Sequence, residues 1–174
     1  RSGYGKITAA KAFEVSSNTG IVKLIYDKYK DNPERIVDRL INMKIDKKIG
    51  VDILGEGEPK IPHPSDDTWN GISLPWMAFG YGVSLTPLQQ LTFYNAIANN
   101  GEMVKPSFIN SIGSIGEKPI FEIDREIIMP SISSKQTLSS VKKMLLNVVE
   151  KPWGTANNFY DEKLKIAGKT GTAQ

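Results

Sequence analysis

Between residues 46 and 75 the chain places Gly50, Gly55, Gly57, Pro59, Pro62, Pro64, Gly71 and Pro75, a density of breakers that no long helix or strand tolerates. The stretch predicts an irregular region with short turns at most. A loop of this length inside a compact domain is usually functional or packs as a rim. Upstream of it the pattern is helical. Residues 7–16 hold good helix formers after Thr8, a candidate N-cap. Ile21, Leu24, Ile25 and Tyr29 then recur at helical spacing. Asn32 and Pro33 read as the N-cap and first residue of a third helix running to about Met43, with Ile36, Val37, Leu40 and Ile41 facing inward. The triplet Ser16-Ser17-Asn18 therefore falls on the break between two helices, where short polar side chains compete for backbone hydrogen bonds.

Downstream, Thr86-Pro87-Leu88-Gln89 is a capping box with proline at the first helical position. The helix it opens should end at Asn100-Gly101, a left-handed cap, with Leu88, Leu91, Asn95 and Ala98 facing inward. Residues 104–112 and 119–123 read as strands of an irregular hairpin. An amphipathic helix follows over 134–150, with Leu138, Val141, Leu145 and Val148 on its inner stripe. The segment 163–172 reads as a strand with an exposed edge.

Composition removes several classes of function. With 174 residues, 40% hydrophobic and 24% charged, the chain is an ordinary folded body the size of one domain or a large piece of one. A net charge of +3 with no basic stripe gives no reason to expect nucleic acid. There is no cysteine, so disulfides, cysteine-based zinc sites and thiol nucleophiles are excluded. His63 is the only histidine, held between Pro62 and Pro64 with no second ligand of its kind, and Asp66-Asp67 lack metal-loop spacing, so no metal or cofactor is expected. No apolar run approaches the ~18 residues of a membrane span. The chain opens on Arg1 and stops at Gln174 within a strand-like stretch, so it reads as an internal piece, with any targeting or anchoring segment outside it.

Two motifs suggest nucleotide binding and fail. Gly168-Lys169-Thr170 follows an apolar segment as a phosphate loop would, but the pattern requires glycine at position 163, where Lys163 stands. Gly80 and Gly82 lack the third glycine, replaced by Leu85. What remains is a combination: Ser16-Ser17-Asn18 on a helix break, then a long helical and loop stretch, then Lys169-Thr170-Gly171-Thr172 on a strand near the other end.

In that order the motifs resemble the penicilloyl-serine transferases, and among them the transpeptidase domain of class B, division-type penicillin-binding proteins, whose cleft joins S-x-x-K, S-x-N and K-T-G. The second and third match here. Residues 78–89, Asn99-Asn100-Gly101 through Lys105-Pro106, and the terminal 166–174 are similar to the same branch, so the resemblance covers essentially the whole chain. It departs at the first motif. Two S-x-x-K matches, Ser139 to Lys142 and Ser140 to Lys143, come after S-x-N and lie on the polar side of a helix. The resemblance puts the nucleophile ahead of Arg1.

The fold it implies is α+β, a mostly helical lobe with part of a central antiparallel sheet, residues 1–174 forming a single partial transpeptidase domain truncated at both ends. The implied chemistry is D,D-transpeptidation of peptidoglycan stem peptides through an acyl-serine, with β-lactams as inhibitors. Ser16, Asn18 and Lys169 are implied as catalytic. Lys169, Thr170, Gly171 and Thr172 are implied to bind substrate, and the Thr172 amide to complete an oxyanion hole. The chain alone, without a correctly ordered serine, is expected to be inactive. The resemblance further implies an anchored protein on the extracytoplasmic face of a bacterial inner membrane, with other cell-wall or division proteins as partners. The alternative is a β-lactam-sensing or catalytically silent penicillin-binding domain, since motifs fix a site and not its use.

Overall fold

A computed structural model describes residues 3–51, 53–118 and 120–171. Six helices and four short strands follow in order: α1 (Ala9–Glu14), α2 (Asn18–Tyr29), α3 (Glu34–Asn42), α4 (Ser73–Met77), α5 (Pro87–Ala98), β1 (Met103–Val104), β2 (Ser111–Ile112), β3 (Phe121–Glu122), β4 (Ile127–Met129) and α6 (Lys135–Glu150). A single 3-10 turn, Asn157–Phe159, comes after them. The strands make two antiparallel ribbons, β1 with β4 and β2 with β3. The expected hairpin is the second of these, with Ser111 opposite Glu122 and Ile112 opposite Phe121, while its predicted start at 119 lies outside the described residues. Of the predicted strand 104–112, Val104 joins Met103 in pairing with β4 instead, and 105–110 form no strand.

The core is organised by α6. Leu138, Leu145 and Val148 are buried along it as its spacing predicts, Val141 is partly buried, and Val149 is buried in addition. Leu138 and Leu145 pack with Ala96 and Ile97 of α5, Met103 of β1 and Ile132. Val148 and Val149 pack with Ala156. Phe13 of α1 lies against both groups and joins them.

Several helices depart from the sequence pattern in instructive ways. In α5 the capping box forms as expected, but the buried residues are Gln89, Thr92, Ala96 and Ile97, while Leu91 is 62% exposed. The expected inner face of Leu88, Leu91, Asn95 and Ala98 is thus rotated. Gln89 can go inside because its Oε1 accepts from the Thr86 amide at 2.7 Å and its Nε2 donates to the Lys47 carbonyl at 3.2 Å. Thr92 Oγ1 donates to the Leu88 carbonyl at 2.8 Å, so neither polar group is buried unsatisfied. The third helix begins one residue late, with Pro33 as its N-cap and no side-chain cap. In α2 no residue is fully buried, and Leu24 is exposed.

The breaker-rich region is irregular apart from α4, and local polar contacts order it. The Glu56 carboxylate accepts from the amides of Ile49, Gly50 and Val51 at 2.5, 2.9 and 3.4 Å, with Gly50 at a φ of 74° that the cradle requires. Burial alone would raise its pKa, and the three backbone donors outweigh it, holding the carboxyl below its usual range.

The accessible surface is 12500 Å², whereas a compact monomer of 19.3 kDa presents about 8,500 Å². Part of the excess is the segment after the 3-10 turn. Residues 161–171 form no ladder, Leu164 is 63% exposed, and the backbone is tied to the rest by the Gly168 amide donating to the Leu145 carbonyl at 3.2 Å. The strand expected over 163–172 is therefore not formed within its described part, 163–171: the segment is exposed, but no neighbouring strand pairs with it.

The end of α6 is sealed by a close approach at Gly154. A Cβ there would lie 2.7 Å from the Asn147 carbonyl oxygen and closer still to that of Val148, both backbone atoms. Gly154→Ala should therefore destabilise the domain by about 1–3 kcal/mol in urea unfolding, the range for forced overpacking. A loss under about 0.5 kcal/mol, ordinary for a surface site, would contradict the packing described here.

Candidate active site

Ser16, Ser17 and Asn18 occupy one turn and have three different jobs in it. Val15 caps α1, and Ser16 follows in left-handed conformation at φ 50°. The Ser16 amide donates to the Phe13 carbonyl at 3.1 Å and the Ser17 amide to the Ala12 carbonyl at 2.8 Å. This is the Schellman pairing, with serine at the position where glycine is usual. Ser17 is the N-cap of α2, its Oγ accepting from the Gly20 amide at 3.2 Å. Asn18 is the first residue of α2 and is exposed at the end of an open groove whose other wall includes Pro75 and Phe79.

The far end of the chain comes to this turn. Lys169 Nζ donates to Ser16 Oγ, 153 residues away in sequence. It also donates to the Thr170 carbonyl at 3.0 Å and lies 5.7 Å from the centre of the Phe13 ring. Among the described residues no carboxylate is within ion-pair distance of Lys169. Half-burial over an aromatic ring without an anionic partner pushes the Lys169 pKa below the ordinary lysine value. Thr170 Oγ1 lies 3.4 Å from Ser16 Oγ and 2.7 Å from Thr155 Oγ1. An ammonium and three hydroxyls thus form one connected chain at the surface of the molecule. Such a chain can hold an anion or pass a proton.

Of the residues singled out in the sequence, Ser16, Lys169 and Thr170 meet directly. The hydrogen bonds of Lys169 go to Ser16 and Thr170, none to Asn18, which lies two residues beyond on the groove side. Gly171 is exposed, with open space where a Cβ would be. Thr172 lies outside the described residues. Ser139 and Ser140 are both exposed on α6, and Ser140 Oγ is turned back onto the Gln136 carbonyl at 3.0 Å. His63 instead meets Ser65 and Asp38. Among the described residues no group of three potential ligands is placed to hold a metal ion, and no helix is long and apolar enough to cross a membrane.

Sequence reasoning missed Thr155, together with the Trp153 and Glu14 contacts behind it. The available signal was the tripeptide Gly-Thr-Ala, which occurs twice, at 154–156 and at 171–173.

A sequence profile for the family described as penicillin binding protein transpeptidase domain matches residues 1–174. Penicillin-binding protein PbpB of Mycobacterium tuberculosis is 33% identical, the match covering 96% of this chain and 24% of the relative. Peptidoglycan D,D-transpeptidase FtsI of Buchnera aphidicola is 27% identical over 97% of this chain and 27% of its own. The chain thus spans about a quarter of the length of the curated relatives it matches. The crystal structure of penicillin binding protein 3 from M. tuberculosis, complexed with ampicillin, superposes with a TM-score of 0.79 at 32% identity, covering 96% of this chain and 36% of that one.

Two results would test the site as built. Ser16→Gly and Ser16→Ala both delete the hydroxyl, but only glycine accepts the left-handed turn without strain. The glycine variant should be more stable than the alanine variant by about 1 kcal/mol in denaturant unfolding. Equal stability would remove the strain. For Lys169, folding disfavours the ammonium, so between its lowered folded value and the ordinary lysine value the unfolded chain binds more protons and stability rises with pH. As pH rises toward the ordinary lysine value, wild type should therefore gain stability relative to Lys169→Met. A difference that stays flat with pH would contradict the burial of this ammonium.

Proposed function

The chain belongs to the transpeptidase domain family of class B penicillin-binding proteins, and we propose that the protein containing it cross-links peptidoglycan by D,D-transpeptidation through an acyl-serine, with the Ser16, Lys169 and Thr170 cluster as one wall of its catalytic cleft. The observation that carries the reading is the hydrogen bond from Lys169 to Ser16, which joins the S-x-N and K-T-G motifs as the chemistry requires.

The reaction has two halves. A serine attacks the carbonyl of a terminal D-Ala-D-Ala bond, the terminal residue leaves as an amine, and the amine of a neighbouring stem peptide then releases the acyl group. The chain's one histidine, His63, is engaged with Ser65 and Asp38 and not with this cluster, and the base proposed here is an amine. In this reading the serine and its lysine partner belong to an S-x-x-K ahead of Arg1. Ser139 and Ser140 are poor candidates, because both are exposed on α6.

A second ammonium next to that lysine, together with burial, favours the neutral, basic form, and this is the role proposed for Lys169. Ser16 Oγ, already bonded to Lys169, has one proton and two lone pairs, so it can accept from an ammonium while donating to the leaving nitrogen. Asn18, exposed on the groove side of the turn, offers both a donor and an acceptor to the substrate amide.

In the same cluster, the Lys169 charge and the Thr170 hydroxyl are proposed to receive the substrate's terminal carboxylate, with Thr172 as a second hydroxyl and its amide as an oxyanion donor. Gly171 and the unladdered edge of 161–171 leave space for a peptide to add in β-fashion. β-Lactams, bound by the related protein in the ampicillin complex, would acylate the same serine. The proposal extends to anchorage on the extracytoplasmic face of the inner membrane by a segment outside this chain, in company with other wall-synthesis or division proteins.

The test is acylation of the full-length protein by a labelled penicillin, followed by cross-linking of a D-Ala-D-Ala donor to an amine acceptor. One adduct per protein is expected. Lys169→Ala should lower the acylation rate by about 10²–10⁴-fold, the range for a lost acid or base partner, while Ser139→Ala and Ser140→Ala should label at the wild-type rate. No adduct, or an adduct mapped to Ser139 or Ser140, would overturn the reading.

A further inference from the structure

Glu14 is 5% exposed and has no cation within ion-pair distance among the described residues, yet it stands two positions before Ser16. A buried carboxylate without a counter-ion is costly unless hydrogen bonds compensate it. Here they do. Oε1 accepts from Asn147 Nδ2 at 2.7 Å and Oε2 from Trp153 Nε1 at 2.8 Å. The Glu14 backbone carbonyl also accepts from the Thr155 amide at 3.3 Å. Thr155 in turn meets Thr170 at 2.7 Å, and Thr170 closes on Ser16 at 3.4 Å.

These contacts form a ring that runs from Glu14 through the end of α6 and the 151–156 turn to Thr170, and back through Ser16 to α1. The Trp153 ring is held from its outer side by Lys11 Nζ, 3.4 Å from the ring centre. The close backbone contact at Gly154 keeps the turn against Val148. Among the described residues, the hydrogen bonds from α1 to the end of α6 and the 151–156 turn all end on Glu14.

We infer that Glu14 is a positioning residue, whose carboxylate and carbonyl hold the 151–156 turn against α1 and so set the spacing between Ser16 on one side and Thr170 with Lys169 on the other. The inference rests on the transpeptidase reading above and adds a residue to it. Glu14 touches no substrate in this scheme. It acts through Trp153, Asn147 and Thr155, and its chemistry at the site is geometric. Two acceptor oxygens are matched to two donors, so a side chain of similar length without acceptors leaves the Asn147 and Trp153 N–H groups unpaired and the turn free to move. Glutamine can keep both bonds, because its oxygen serves Trp153 while Asn147 turns its amide to accept from the new NH2.

The experiment uses the full-length protein and labelled penicillin at saturating concentration, recording separately the amplitude of labelling and its first-order rate constant. Glu14→Met should lower the rate constant by about tenfold or more, since misplacement of a reacting group by ~1 Å costs on the order of 10²-fold. Glu14→Gln should recover the rate to within about threefold of wild type, as expected where hydrogen-bond geometry and not charge is what matters. If Glu14→Met fails to fold, Trp153→Phe keeps the ring beneath Lys11 and removes only the N–H, and it should also slow acylation. A reduced amplitude with an unchanged rate constant in the folded fraction would show that Glu14 only maintains the fold, and would overturn the inference. So would a wild-type rate constant in Glu14→Met or Trp153→Phe, or a Glu14→Gln rate as low as that of Glu14→Met. An absence of adduct on the unsubstituted protein would instead defeat the transpeptidase reading itself.

Discussion

The packing of Phe13, from α1, against the two buried clusters along α6 is the contact on which the arrangement of the site depends. Ser16 and Lys169 are separated by 153 residues, and closing a loop of that length costs roughly 4–5 kcal/mol plus a constant in chain entropy. A hydrogen bond contributes about 1 kcal/mol net. The bond between the two side chains therefore cannot be what brings them together. The closure is supplied by apolar burial, with Phe13 packed on Leu145 and the α5 cluster on one side and on Val148, Val149 and Ala156 on the other. The same ring lies under the Lys169 ammonium, so the residue that closes the core also helps set the environment of the cation.

The turn at Ser16 shows what a reactive position requires of the backbone. A helix ending in a left-handed residue is ordinary, and glycine is the inexpensive choice for it. Serine there accepts strain, and in exchange its hydroxyl points away from the helix and reaches Lys169 and Thr170. Ser17 satisfies the first turn of α2 with its hydroxyl, so the Ser16 hydroxyl has no capping role. Two adjacent serines thus divide structural and chemical work between them.

Much of the fold was legible in the chain. The capping box at Thr86, the Asn100-Gly101 stop, the inner stripe of α6 and the helix break at Ser16-Ser17-Asn18 each follow from local chemistry within a few residues, and local chemistry is what a sequence displays. The rotated face of α5 was not legible. Gln89 and Thr92 are buried because Lys47 and the helix's own backbone satisfy them, and hydrophobic periodicity counts polar residues as outward wherever their partners are. The pairing of β1 with β4 instead of within the predicted hairpin is of the same kind, since register is chosen by surfaces remote in sequence.

For the site, the sequence by itself determined the types of groups present and their order: a serine-serine-asparagine break early, a lysine-threonine-glycine segment late, no cysteine, and one histidine flanked by prolines. It determined the family too, because the match to the transpeptidase domain family runs over residues 1–174. Only the tertiary structure decided that Thr155 joins the hydroxyl chain and that Glu14 is buried behind it. The physical reason is that these are facts of distance. A side chain's partner is set by where α6 and the 151–156 turn pack against α1, a through-space balance of burial and loop entropy that no spacing along the chain records.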